Sequence, residues 1–188
     1  NNDAPPSGPF EFVKEDLSGT NPKFTVKDGN GIKWKVKLGP EARPETVATR
    51  FVWAVGYFTD ADYFVNHAEI TGVPTQGLRR LRGWITCDST VDNVRFERED
   101  KGEKQEGHWS WKHKPFAGSR EWNGLRVMMG VPNDWDLKDV NNRIYRQKGE
   151  NREHYVVSDP DATVCTHHAL VGHAASRGNV RANLRTRC

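Results

Sequence analysis

Seven residues, Ile32-Lys33-Trp34-Lys35-Val36-Lys37-Leu38, alternate strictly between apolar and basic side chains. A period of two fits a strand with one buried face, whereas a helix repeats every 3.6 residues. The pattern puts Ile32, Trp34, Val36 and Leu38 on one face and Lys33, Lys35 and Lys37 on the other. Asp28-Gly29-Asn30-Gly31 before it is a hairpin turn signal. Phe24-Thr25-Val26-Lys27 alternates as the partner strand. A chain that opens this way is committed to a sheet over an apolar core.

The remaining segments take their places around that hairpin. Residues 1–9 read as an arm, with Phe10-Glu11-Phe12-Val13 as an edge strand or lead-in. Pro44 to Gly56 reads as a helix, with proline in its first turn and glycine at its end. Val47, Phe51 and Val55 share one helix face, and Glu45, Thr49 and Trp53 another. Leu78 to Phe96 carries one or two strands, and the charged run Glu97 to Gln105 reads as a linker or a strand end. Ser119 is a good N-cap for a helix from Arg120 to about Val131, with Trp122, Leu125 and Met129 inward. Ile144-Tyr145 and His154-Tyr155-Val156-Val157 read as a hairpin around Gly149-Glu150-Asn151. The expected organisation is an arm over 1–17, a β-rich lobe over 18–103, a shortened helical lobe over 104–164 and a basic tail over 165–188. The fold class is α+β.

Composition narrows the function classes. A chain of 188 residues supports one domain or two small lobes. Seven tryptophans and eight phenylalanines supply a core despite 28% charged residues. The net charge of +3 calls for no nucleic-acid partner. His108, Trp109, Trp111 and His113, with Arg79, Arg80 and Arg82, read as core tryptophans and solvated arginines rather than a nucleic-acid surface. No apolar run approaches the ~20 residues of a membrane span. No leader peptide is visible, which fits a cytoplasmic chain or one exported with its leader removed. Three widely spaced cysteines, Cys87, Cys165 and Cys188, allow one bridge but make no disulfide framework.

Candidate chemistry lies at five places. Lys35 and Lys37 face the side where the turn Gly19-Thr20-Asn21-Pro22-Lys23 folds over. A glycine turn and a lysine over one pocket is how a kinase-type lobe holds phosphates. Glu45 follows in the first turn of the next helix, placed to complement the helix dipole or to pair with a phosphate-binding lysine. Asp136 stands five residues before Asn141, and Asp159 ends the run Tyr155-Val156-Val157-Ser158. An aspartate that orients a nucleophile, with an asparagine and a second aspartate on magnesium, is the phosphoryl-transfer pattern. The tail offers a rival set, Cys165, His167, His168 and His173, of types that bind zinc or another transition metal.

In this order the residues resemble the atypical protein-kinase-like fold of HipA-type kinases and phosphoinositide kinases. The resemblance runs from about Ser18 to Ala162. It is carried by Gly19-Thr20-Asn21-Pro22-Lys23, Lys37, Glu45, Asp136 with Asn141, and Asp159. The chain also resembles a group of bacterial proteins sharing segments such as Trp34-Lys35-Val36-Lys37-Leu38-Gly39 and Trp135-Asp136-Leu137-Lys138-Asp139. The resemblance implies a kinase-like β-rich first lobe. It implies ATP held by Gly19, Thr20, Lys23 and Lys37, with Glu45 holding Lys37. It further implies Asp136 acting on the acceptor hydroxyl, and Asn141 and Asp159 on magnesium. Lys138 would stabilise the transferring phosphoryl group, and Lys35 rivals Lys37. Leu137-Lys138 stands where those families commonly carry Arg-His, and Pro160-Asp161 follows Asp159 where a glycine is usual. The resulting expectation is ATP/Mg-dependent phosphoryl transfer to an unidentified acceptor, or a degenerate kinase-like nucleotide binder. A metal-dependent hydrolase built on the tail and a non-catalytic binding module are the alternatives.

Overall fold

The structure, a computed structural model, describes residues 4–99, 103–131, 137–147 and 152–160. Its first half is a closed five-stranded barrel in the order β1-β2-β3-β5-β4. The strands are β1 (Phe10–Asp16), β2 (Lys23–Lys27), β3 (Lys33–Lys37), β4 (Asp62–Thr71) and β5 (Thr90–Arg98). All pairs are antiparallel except the short parallel seam Phe10↔Ile70 and Glu11↔Thr71, which closes the barrel. Thus β1, which falls in the stretch read as an arm, is an integral barrel strand.

The alternation of the opening hairpin fills the barrel. Phe24, Val26, Trp34, Val36 and Leu38 are buried and meet Phe96, Val94, Val91 and Ile70 from the other strands. A barrel of so few strands has room only for side chains. Asp28 secures the hairpin end. Its carboxylate accepts from the backbone N–H groups of Asn30 and Ile32, and from Trp34 Nε1 at 2.9 Å. The buried indole N–H is thereby satisfied, as burial of a donor requires.

Helix α1 (Ala42–Ala54) crosses the outside of β4 and β5. Gly56 ends it at φ +99°, a backbone state that favours glycine. Its N–H bonds the Trp53 carbonyl while that of Tyr57 bonds Val52, a Schellman arrangement. The helix turns its polar face inward. Glu45, Thr46 and Thr49 are buried, whereas Val47, Phe51, Trp53 and Val55 are exposed. The surface beneath is the charged outside of the barrel, so the helix meets it with carboxyl and hydroxyl groups.

The chain leaves the barrel after Arg98 and enters a three-stranded antiparallel sheet, β6-β7-β8, at Glu103. Its strands are β6 (Glu103–Gly107), β7 (Asn142–Gln147) and β8 (Glu153–Val157). Helix α2 (Arg120–Gly130) is capped by Ser119, whose side chain accepts from Trp122 N. The shortened helical lobe expected here is not evident among the described residues. They hold one α-helix, a single 3-10 turn over Asp139–Asn141, and this sheet. The run Glu103-Lys104-Gln105-Glu106 has no apolar residue to reveal a strand. Its state is set by pairing with β7, Lys104↔Arg146 and Gln105↔Tyr145. A second core of Trp109, Trp122, Leu125, Met129 and Val157 takes in Val52 from α1, which links it to the barrel.

Trp34 is wholly buried, touches Tyr63 and Phe96 edge-on, and satisfies Asp28. Trp34→Ala should therefore cost about 3–5 kcal/mol in denaturant unfolding. A loss below about 1 kcal/mol would contradict this packing.

Candidate functional site

The outer faces of β3 and β5 form a charged surface buried under α1 and the second sheet. Strict alternation sends Lys35 and Lys37 outward from β3, and Arg95 and Glu97 outward from β5. The register sets Lys35 opposite Glu97 and Lys37 opposite Arg95.

Lys37 is the lysine that the surroundings engage. Its ammonium pairs with Glu45 from α1, lies 3.7 Å from Asp159 Oδ1, and lies 3.7 Å from Glu41. Lys35 lies 3.9 Å from Glu97 instead. Three expected residues, Lys37, Glu45 and Asp159, thus converge although 122 positions separate the first from the last. Asp159 reaches the site because β8 docks on the chain after α1, with Val157 N bonded to Phe58 O at 2.9 Å. Its backbone is left-handed at φ +51°, which aspartate tolerates better than most residues.

Asn141 and Lys138 lie beside Asp159. Ser158 N bonds Asn141 O at 3.0 Å, and Asn141 N bonds Lys138 O at 3.1 Å. Lys138, Asn141, Ser158 and Asp159 line one recess of about 10 Å³ with Trp111 and Met129. That is room for about one water molecule, far below the roughly 300 Å³ of pockets that enclose a small ligand.

The β1–β2 turn is held from outside. Arg80 donates Nη1 to the carbonyls of Leu17, Ser18 and Gly19, and Nη2 to that of Thr20. Gly19 sits at φ +65°. Asn21 bonds Glu41, which joins the turn to the start of α1 and the Lys37 neighbourhood. Lys23 pairs in register with Lys37, and its ammonium lies 3.7 Å from Asp16.

Sequence reasoning missed the centre of the site, Arg95. Its side chain is only 3% exposed. Nη1 lies 2.7 Å from Asp159 Oδ1, 2.8 Å from Glu45 Oε2 and 3.6 Å from Asp62 Oδ2. Nη2 lies 3.3 Å from Glu97 Oε2. Arg143 from β7 adds Glu97 at 2.8 Å and Asp60 at 3.6 Å, and Thr49 donates to Asp62 at 3.0 Å. The signal is the alternation Val94-Arg95-Phe96-Glu97, which carries the strand beyond Phe96 to Arg98. Glu97 is buried near the end of β5, so the strand-end reading fits it and the linker reading does not.

Burial and pairing pull the carboxyls in opposite directions. Burial raises the Glu45 pKa to about 7, with Arg95 and Lys37 opposing and Asp159 adding to the rise. Asp62 is raised mainly by burial, against Arg95. Burial raises Asp159 too, but Arg95 and then Lys37 outweigh it and hold the group below its ordinary 3.8. Burial pulls the Arg95 pKa down, but Asp62, Asp159, Glu45 and Glu97 outweigh it and raise the group well above its ordinary value.

These oxygens are arranged around a guanidinium. Among the described residues, no group of three or more His, Cys, Asp or Glu side chains is disposed to hold a metal ion. Asp136, Cys165, His167, His168 and His173 lie outside the described residues. Cys87 is disulfide-bonded.

Folded Glu45 keeps its proton to about pH 7, whereas the unfolded chain releases it near 4.5. Its contribution to stability is therefore full below about pH 4.5 and is lost as pH rises through about 7. Asp159 behaves oppositely, its contribution being lost only as pH falls below its ordinary 3.8. In unfolding titrations, the wild type should lose on the order of 3 kcal/mol relative to Glu45→Gln across the Glu45 window. A pH-independent difference would mean that Glu45 is ionised throughout. No family model matches the chain, and neither does any curated protein or solved structure.

Proposed function

We propose that this seam is a kinase-like nucleotide-binding site, in which Lys37 holds nucleotide phosphate. The observation that supports it is the convergence of Lys37 on β3, Glu45 on the following helix, and Asp159 at the end of β8. A lysine on the third strand, paired with a helix glutamate beside a strand-end aspartate, is the constellation kinases use to hold nucleotide phosphates.

Each residue has a physical role in this reading. Lys37 supplies a fixed positive charge to the phosphates. Glu45 and Asp159 aim its ammonium and keep it from folding away. The β1–β2 turn, with Gly19, Thr20 and Lys23, lies on the strand edge next to Lys37 and would border the same phosphates. Lys138 and Asn141 line the small recess that also takes in Asp159. Phosphoryl transfer would further require Asp136 to orient an acceptor hydroxyl.

ATP should bind in calorimetric titration and raise the melting temperature. Lys37→Ala should weaken ATP binding at least tenfold, and Lys35→Ala less than threefold. If the wild type gives neither heat nor thermal shift with ATP, with or without magnesium, the reading fails. If Lys35→Ala is the more damaging variant, the phosphate lysine is misassigned. Turnover is tested separately, since Asp136→Asn should abolish any ATP hydrolysis or transfer and leave ATP affinity intact.

A further inference from the structure

We propose that Arg95 takes the place of the divalent cation in this site, so that nucleotide binds without magnesium. The inference rests on the nucleotide reading above and adds to it the identity of the cation. The guanidinium is within 3.6 Å of carboxylate oxygens from Glu45, Asp62 and Asp159, and 3.3 Å from Glu97. It comes from the barrel wall and is buried, so it is a built-in part of the fold rather than a mobile surface charge.

Three physical points favour it. First, Asp159 would be a magnesium ligand in the kinase arrangement, yet its Oδ1 already accepts from Arg95 at 2.7 Å. Magnesium demands six oxygens in near-ideal octahedral geometry at about 2.0–2.1 Å. A dication at that distance from Oδ1 would face a guanidinium and an ammonium that cannot withdraw, because the same contacts hold the fold. Second, an arginine cannot shed its proton to make way, while a buried lysine can. Third, Arg95, Lys37, Lys35 and Arg143 already pair with these carboxyls, so a dication would enter beside four fixed positive charges.

Arg95 then acts as a positioning residue. It holds Asp159, and Asp159 with Glu45 holds Lys37 toward the phosphates. Asp159 serves this relay as a hydrogen-bond acceptor, with no metal bond to make.

The test is ATP affinity by titration calorimetry on the full chain, in excess magnesium and in EDTA. The inference expects dissociation constants within about twofold of each other. It also expects Asp159→Asn to weaken binding by the same factor in both buffers, since the lost contact is to Arg95 and Lys37. If magnesium tightens ATP at least tenfold and Asp159→Asn removes only that gain, the inference is overturned and the nucleotide reading stands. If ATP binds in neither buffer, both fall. Circular dichroism checks that Asp159→Asn is folded, and if it is not, the wild-type comparison alone decides.

Discussion

A guanidinium in a protein interior must be surrounded by acceptors, because it cannot become neutral there. Arg95 obeys that constraint, and much of the architecture follows from it. Its four carboxylate neighbours come from α1, β4, β5 and the end of β8. Those are the elements that must dock if the barrel, the helix and the second sheet are to form one body. Removing Arg95 would leave these carboxyls facing one another without their shared cation, which is far costlier than a lost surface pair. The seam therefore sets the relative placement of the parts, while two apolar cores supply most of the driving force for burial.

The same constraint explains the inverted helix. An amphipathic helix ordinarily turns its apolar stripe to the core. Here the surface under α1 is Lys37, Arg95 and Asp62, so Glu45 and Thr49 face in. Val47, Phe51 and Val55 are left facing solvent. Near its C-terminus the helix regains an apolar contact, because Val52 enters the second core. One helix thus bridges a polar seam and a hydrophobic cluster, and its register is fixed by both.

How far this was legible in the chain depends on the range of the forces involved. The hairpin of β2 and β3 could be read because alternation and turn chemistry are local, and α2 because Ser119 and the spacing of Trp122, Leu125 and Met129 are local. Lys37 and Glu45 could be named because they are eight residues apart across a strand and a helix start. The second sheet could not be read whole: β6 carries no apolar pattern and owes its state to β7, some 40 residues on. Arg95 was hidden for a related reason. An arginine on a strand reads as solvated unless one knows which helix and which sheet edge will cover it, and that cover arrives from Glu45 on one side and Asp159 on the other.

The register of β3 decides between two lysines that the sequence leaves equivalent. Lys35 and Lys37 leave the strand on the same face, one pleat apart. Lys35 lies opposite Glu97 and beside its carboxylate. Lys37 lies opposite Arg95, which as a like charge repels it from the strand surface. The ammonium is thereby turned toward Glu45 and Asp159, at the edge where β3 ends and the chain bends through Gly39 into α1. That edge is also where the β1–β2 turn meets Glu41. A cation fixed in the wall thus steers a second cation to the rim, where it is 12% exposed and able to meet an anion from solvent. The buried arginine and the lysine at the rim are thus one arrangement, and the anion-binding role proposed for that rim would follow from how the seam is held together.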